Sequence, residues 1–129
     1  MSFMTKFKAI KKQYTQIIRR FEEVLAKEKN DINRDSAIKR FELAFDLSWK
    51  LVKAFLEEEK GIKCFSPKDC FREAYRQGII DYDNLWIKMT DLRNEAIHTY
   101  NEKFADEFYE KLPEMLKLFQ SLQKKIEKY

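Results

Sequence analysis

The chain has 129 residues, of which 15% are aromatic and 37% are charged, and its formal net charge at pH 7 is +4. This length fits a single domain. Only two glycines and two prolines are present, too few to supply the turns of an all-β fold. The 26 basic and 22 acidic residues alternate in sign along most of the chain, which is typical of solvated helix faces and does not by itself indicate a nucleic-acid surface.

The two cysteines, Cys64 and Cys70, are six residues apart, and the single histidine cannot complete a zinc site with them. We therefore expect free, reduced thiols and no metal site. No segment reaches the roughly 20 apolar residues of a membrane span. Lys6, Lys8, Lys11 and Lys12 interrupt the apolar run that a signal peptide needs, so we expect none here. The sequence predicts a soluble, cytoplasmic protein that does not enter membranes.

Apolar residues at steps of three and four predict helices along most of the chain. The first helix should cover residues 6–27. The second should be capped by Asn33 or Asp31 and should run to Gly61. Its apolar positions cover so much of its circumference that it must contact neighbours on several sides, as the central helix of a bundle does.

Start and stop signals delimit two further helices. Ser66 as cap and Pro67 at the first helical position open a short third helix, which should stop at Gly78. Asp81 or Asp83 should cap the fourth helix.

The fifth helix should begin between Thr99 and Glu102, which have the spacing of a capping box. Its apolar stripe keeps its phase beyond Pro113, so this proline should kink or loosen the helix without ending it. Short connections between long helices make neighbours antiparallel. The predicted fold is all-α: one domain over residues 1–129, an antiparallel up-and-down bundle of four long helices plus one short helix.

Residues 93–100 concentrate the reactive side chains of the chain. This segment holds the only histidine, His98, together with Arg93 and Tyr100. Arginine offers a positive fork for phosphate, and histidine exchanges protons near neutral pH. Arg93 and His98 are five positions apart, about 140° around a regular helix, so one unbroken helix cannot aim both at one small target. A helix end near His98, or a second copy of the chain, would bring them around one phosphate.

Three other interpretations of this segment remain open. His98 could be a helix-end histidine favoured by the helix dipole, with Arg93 in a surface ion pair to Asp91 or Glu95. Glu95-x-x-His98 matches the pattern of di-iron bundles, but such a site needs a second copy of the motif. Nucleophilic catalysis would need a serine or cysteine that nothing in the sequence places near His98.

Several short motifs together repeat a known pattern. They are Arg93-x4-His98-x-Tyr100 with Asn94 directly after the arginine, Arg40-Phe41-Glu42, Trp49-Lys50, Ser66-Pro67-Lys68, Arg72-Glu73-Ala74 and His98-Thr99-Tyr100-Asn101-Glu102. In these motifs, and over nearly its whole length, the chain resembles HepT-type HEPN proteins, a helical family also described as nucleotidyltransferase substrate-binding proteins.

The resemblance implies a homodimeric HEPN-like bundle that acts beside a small nucleotidyltransferase. In HepT-type members the bundle is a toxin that cleaves RNA without metal. The partner is the antitoxin, which uses ATP and magnesium to transfer AMP onto the motif tyrosine, while the bundle has no cofactor of its own. The alternative that the family implies is a non-catalytic substrate-binding subunit of a two-component nucleotidyltransferase.

The resemblance also implies a role for each motif residue. Arg93 would hold the scissile phosphate and stabilise charge in the transition state. His98 would act as general base or acid on the ribose 2'-hydroxyl or the leaving oxygen. Asn94 would orient the histidine or the phosphate, and Tyr100 would receive AMP.

Overall fold

The computed structural model describes residues 4–129, and every regular element in that range is a helix. The helices are α1 Lys6–Leu25, α2 Asp31–Lys60, α3 Pro67–Arg76, α4 Leu85–His98 and α5 Glu102–Ile126. They form a bundle in which α3 is the short element, so the predicted all-α fold is confirmed. None of the helices within this range combines the length and the apolar character needed to cross a bilayer.

Aromatic contacts show how the first two helices pack. Phe7 near the start of α1 meets Phe55 near the end of α2, with ring centroids 5.4 Å apart. Phe21 near the end of α1 meets Phe41 in the first half of α2, at 6.5 Å. The two helices are therefore antiparallel, as the short connection between them predicts.

The helix α2 lies at the centre of the core. The ring of Phe41 is fully buried and contacts Phe21 of α1 and Phe108 and Phe119 of α5, with centroids 5.2 to 6.5 Å apart. Such tilted and edge-to-face arrangements are favourable for aromatic rings. The prediction that the second helix contacts neighbours on several sides is confirmed.

The cap predicted for the second helix was wrong. Asn30 is the N-cap of α2, because its backbone is extended (φ −149°, ψ 174°) and its side chain accepts a 2.8 Å hydrogen bond from the Asn33 N–H. Asn33 and Asp31 both lie inside the helix, and the Asn33 amide instead donates to the Glu28 carbonyl. The preceding helix ends at Leu25, two residues before the predicted boundary.

Of the caps predicted for the next two helices, the one for the third helix is confirmed. Ser66 caps α3 as predicted, and its hydroxyl accepts the Asp69 N–H at 3.3 Å. The chain leaves α3 through Gly78, whose φ of +74° lies in the left-handed region that favours glycine. The predicted cap of the fourth helix, Asp81 or Asp83, was wrong, because Asn84 is the N-cap of α4, although Asp83 accepts the Leu85 N–H at 2.9 Å.

The expectation of free thiols was wrong. Cys64 and Cys70 form a disulfide with their Cα atoms 5.1 Å apart, and both side chains are buried. The chain bends at Ser66, between the two cysteines, where it enters the first turn of α3. The resulting distance between the two Cα atoms lies within the range that a disulfide requires.

Candidate functional site

Residues 93–100 cover the end of α4 and the start of the connection to α5. His98 is the last residue of α4, as predicted, and the N–H of Thr99 closes that helix on the Glu95 carbonyl at 2.8 Å. The expected capping role of Thr99 for the fifth helix was wrong. Asn101 caps α5 instead, since its side chain accepts the Phe104 N–H at 2.8 Å. Two residues, 99 and 100, thus separate the end of one helix from the cap of the next.

Arg93 is held against α2. Its Nη2 lies 3.5 Å from Asp46 Oδ1, and its guanidinium carbon lies 5.5 Å from the centroid of the Phe45 ring. Its Nη1 also donates a 3.2 Å hydrogen bond to the side chain of Asn94. Arg93 thus pairs with Asp46 and not with Asp91 or Glu95, the partners considered from the sequence, and Asp91 pairs with Lys68 of α3 at 2.7 Å. The side chain of Arg93 is therefore partly buried and oriented from another helix.

His98 and Asn94 are both exposed at the end of α4. The helix stays regular through His98, so Arg93 and His98 keep the wide angular separation that their spacing implies. Within residues 4–129 no hydrogen bond or ion pair joins the two side chains. In one copy of the chain the two side chains therefore lie on different sides of the helix, and their catalytic roles stay predictions.

Tyr100 lies beside two residues that the sequence did not indicate. Its hydroxyl donates a 2.6 Å hydrogen bond to Asp35 Oδ1, 65 residues earlier in the chain. The same carboxylate oxygen accepts a 3.0 Å bond from Nε of Arg34. The tyrosine is 50% exposed. The guanidinium that adjoins the Tyr100–Asp35 pair belongs to Arg34.

Arg34 is the buried centre of an ionic cluster between the start of α2 and the start of α5, and the carboxylates around it are half or more exposed. The residue is only 2% exposed. Its carboxylate partners are Glu102 at 2.7 Å, Asp35 at 3.0 Å, Asp106 at 3.1 Å and Asp31 at 3.7 Å. A signal was available in the sequence, since Arg34 continues the spacing of the apolar stripe through Ile38, Phe41 and Phe45. A charged residue in that phase indicates a buried ion pair.

The surroundings shift the pKa values of both members of the Tyr100–Asp35 pair, in opposite directions. The bond from Tyr100 is the main cause that holds the pKa of Asp35 below its ordinary value. Partial burial opposes this shift and Arg34 adds to it. Burial, followed by the adjacent Asp35 carboxylate, raises the pKa of the Tyr100 phenol. At neutral pH the proton therefore resides on the phenol and the negative charge on Asp35.

Replacing Arg34 with methionine should flatten the acid limb of the stability curve. A depressed carboxylate pKa stabilises the fold above the unfolded value of about 4, and this contribution is lost as pH falls through the folded pKa. Without Arg34, the folded pKa of Asp35 moves only part of the way back toward that of the unfolded chain, because the bond from Tyr100, the main cause of the shift, remains. Urea unfolding between pH 5 and pH 2 would measure the slope. Arg19→Met is the control, because Arg19 makes only an exposed 3.9 Å pair with Glu23. An equally steep acid limb in the Arg34 variant would contradict this account.

A concavity of about 280 Å³ lies at the other end of α4. Its walls include Phe71 and Tyr75 of α3 and Tyr82 and Trp86 near the start of α4. None of Arg93, Asn94, His98 and Tyr100 lines it. Within residues 4–129 no group of three or more histidine, cysteine, aspartate or glutamate side chains is arranged to hold a metal ion.

A helical bundle that carries this arginine and histidine on its fourth helix, followed by the tyrosine before the fifth, is of the class of HepT-type helical proteins. The family model described as "nucleotidyltransferase substrate binding protein like" matches residues 5–128, and the chain belongs to that family. The family's name implies a nucleotidyltransferase as its partner.

A curated relative and a solved structure resemble this chain. The relative is named probable ribonuclease HepT, from Haemophilus influenzae, and is 33% identical over 84 residues. That match covers 62% of this chain and 58% of the relative. A crystal structure of a protein from Thermus thermophilus superposes with a TM-score of 0.79 at 31% identity. It covers 84% of this chain and 94% of the Thermus protein.

Proposed function

We propose that this protein is a HEPN-type ribonuclease toxin, which a partner nucleotidyltransferase silences by transferring AMP to Tyr100. The observation that carries the proposal is the exposed His98 at the end of α4, flanked in sequence by Arg93 and Tyr100. The 33% identity to a relative named as a probable ribonuclease supports it. So does membership of a family named for nucleotidyltransferase substrate binding.

The proposed cleavage uses side chains alone and no metal ion. His98 moves a proton from the ribose 2'-hydroxyl or to the leaving oxygen, a role worth about 10²- to 10⁴-fold in rate. Arg93 neutralises the negative charge that develops on the phosphate. Its present partner Asp46 is 3.5 Å away, so a phosphate can replace that carboxylate at the guanidinium. Asn94 orients Arg93 through their 3.2 Å hydrogen bond.

We propose further that the working form is a symmetric homodimer. Leu43 and Ile97 are large apolar side chains that are exposed, at 44% and 57%. They lie one helical turn from Asp46 and Arg93, the pair that joins α2 to α4. A second copy seated over this face would cover both apolar side chains and place two motifs in one cleft. One chain could then supply the acid and the other the base.

Lysines clustered at one end of the bundle support an RNA substrate. The lysines at the start of α1 and the end of α5 meet there, where Lys11 Nζ donates to the Glu127 carbonyl at 2.9 Å. The cluster consists of Lys6, Lys8, Lys11, Lys12, Lys124, Lys125 and Lys128. Glutamates 57–59 at the end of α2 and Asp81, paired with Lys125, offset part of this charge. The cluster lies about one length of α5, roughly 37 Å, from the motif, so it would attract a long RNA.

RNA cleavage by the purified protein tests the proposal. The protein without its partner should cut RNA in the presence of a metal chelator, and the binding of RNA should weaken as salt rises. Prior incubation with the cognate nucleotidyltransferase, ATP and magnesium should stop cleavage. Light scattering of the same preparation should give twice the 15.7 kDa mass of the chain. A purely monomeric protein would refute the composite cleft.

The second candidate function is the non-catalytic substrate-binding subunit, which the family's description favours. It predicts no RNA cleavage under any of these conditions. The protein would instead raise the rate at which the partner transfers nucleotides. If the protein cleaves no RNA and also accelerates nucleotide transfer by the partner, the ribonuclease proposal is refuted and this second function is supported.

A further inference from the structure

The Tyr100 phenol is bonded to a carboxylate before any partner arrives. Its hydroxyl lies 2.6 Å from Asp35 Oδ1, a short distance that is typical of a hydrogen bond to an ionised acceptor. Both side chains remain about half exposed. The reacting oxygen can therefore be approached from solvent while its proton already points at a base.

The neighbours of Asp35 hold that carboxylate in place. Nε of Arg34 donates to the same Oδ1 at 3.0 Å. Arg34 is itself fixed by Glu102 and Asp106 of α5, at 2.7 and 3.1 Å. Asp35 of α2 is thus tied through Arg34 to α5, the helix that follows the Tyr100 segment. Such preorganisation is what a proton acceptor needs, because geometry is the first requirement for general base catalysis.

We propose that Asp35 is the general base for AMP transfer to Tyr100. This inference rests on the proposed function. The phenol oxygen forms a bond to the α-phosphorus of ATP as the bond from that phosphorus to the β-bridging oxygen breaks. Pyrophosphate leaves with the electron pair of the broken bond. The phenol proton passes to Asp35 and from there to solvent.

The electrostatics of the pair suit this sequence of events. The raised pKa of Tyr100 keeps the phenol neutral in the resting protein. The lowered pKa of Asp35 keeps the carboxylate ionised and ready to accept. Proton transfer becomes favourable only as the new oxygen–phosphorus bond withdraws charge from the phenol. The tyrosine is consequently inert until the partner delivers ATP.

Asp35→Asn tests the proposal, with Asp31→Asn as its matched control. An asparagine can still accept the Tyr100 hydrogen bond, but it cannot take up the proton. Asp31 is also a carboxylate of the Arg34 cluster, 3.7 Å from Nη1 of Arg34, and makes no bond to Tyr100. Mass spectrometry would follow adduct formation with the cognate nucleotidyltransferase, ATP and magnesium. We expect Asp35→Asn to react about 10²-fold more slowly, and Asp31→Asn to react like the wild type.

The pH profile separates a base from a positioning residue. Without the carboxylate, only the ionised fraction of the Tyr100 phenol can react, and this fraction grows as pH rises. The ratio of the wild-type rate to the Asp35→Asn rate should therefore fall by up to about tenfold per pH unit between pH 7 and 9. The other charged groups around the pair occur in both proteins, so their effects largely cancel in the ratio of rates. They are Arg34 and Asp31 of α2, Glu102 and Asp106 of α5, and Lys29, which reaches Asp106.

Each outcome of the experiment is decisive. A deficit that stays constant with pH, or no deficit, overturns the role of Asp35 while leaving the proposed function intact. A wild-type protein that acquires no AMP on Tyr100 refutes the proposed function itself, and this inference with it. If Asp35→Asn fails to fold, the rate of AMP transfer to Asp35→Ala is measured with and without added acetate. Acetate restores that rate only where the missing base is the defect. Failure of acetate to restore the rate of a folded Asp35→Ala protein also overturns the proposal.

Discussion

Replacing His98 with alanine should abolish RNA cleavage and toxicity while leaving the fold intact. If His98 is the proton-transfer group, its removal costs about 10²- to 10⁴-fold in rate. The side chain is exposed at the last residue of α4, so its loss should change the free energy of unfolding by no more than about 0.5 kcal/mol. The measurements are RNA cleavage by the purified variant, growth of a host that expresses it, and thermal unfolding.

Glu95→Ala is the matched control for this substitution. Glu95 is also exposed in the last turn of α4, and its backbone carbonyl, which alanine retains, accepts the Thr99 N–H. The control variant should cleave RNA at nearly the wild-type rate. If the His98 variant cleaves RNA as fast as this control does, His98 performs no chemistry and the ribonuclease proposal fails.

Replacing Tyr100 with phenylalanine should make the toxin insensitive to its partner. The variant lacks the oxygen that receives AMP, so no adduct can form at this position. In the wild type, the adduct would place negative charge and bulk beside the motif and exclude RNA. Peptide mass spectrometry after incubation with the nucleotidyltransferase, ATP and magnesium would detect the modification. RNA cleavage before and after incubation would detect the loss of activity.

Tyr82→Phe is the control, since Tyr82 is an exposed tyrosine, at 75%, away from the motif. It should be modified on Tyr100 and silenced like the wild type. An adduct on the Tyr100→Phe protein would show that the acceptor is another residue. Inhibition of that protein without any adduct would show that the partner acts by binding alone.

The sequence by itself determined the helical fold, the helix end at His98 and the candidate motif. The reason is that helix periodicity and the motif are local patterns, and local patterns can be read from neighbouring residues. Caps were less certain, because several polar residues compete at each end and backbone geometry selects one of them. Asn30 and Asn101 were missed in this way. The family resemblance added the proposed roles of Arg93, Asn94, His98 and Tyr100, which the fold neither requires nor tests.

Only the tertiary structure decided which distant side chains meet. Asp35 reaches Tyr100 across 65 residues of chain, and Asp46 reaches Arg93 from another helix. These contacts depend on the relative placement of α2 and α4, which no local pattern specifies. The Cys64–Cys70 disulfide likewise depends on the path of the chain around Ser66. Packing of whole helices sets such distances, and for that reason the environment of the phenol could not be read from the motif.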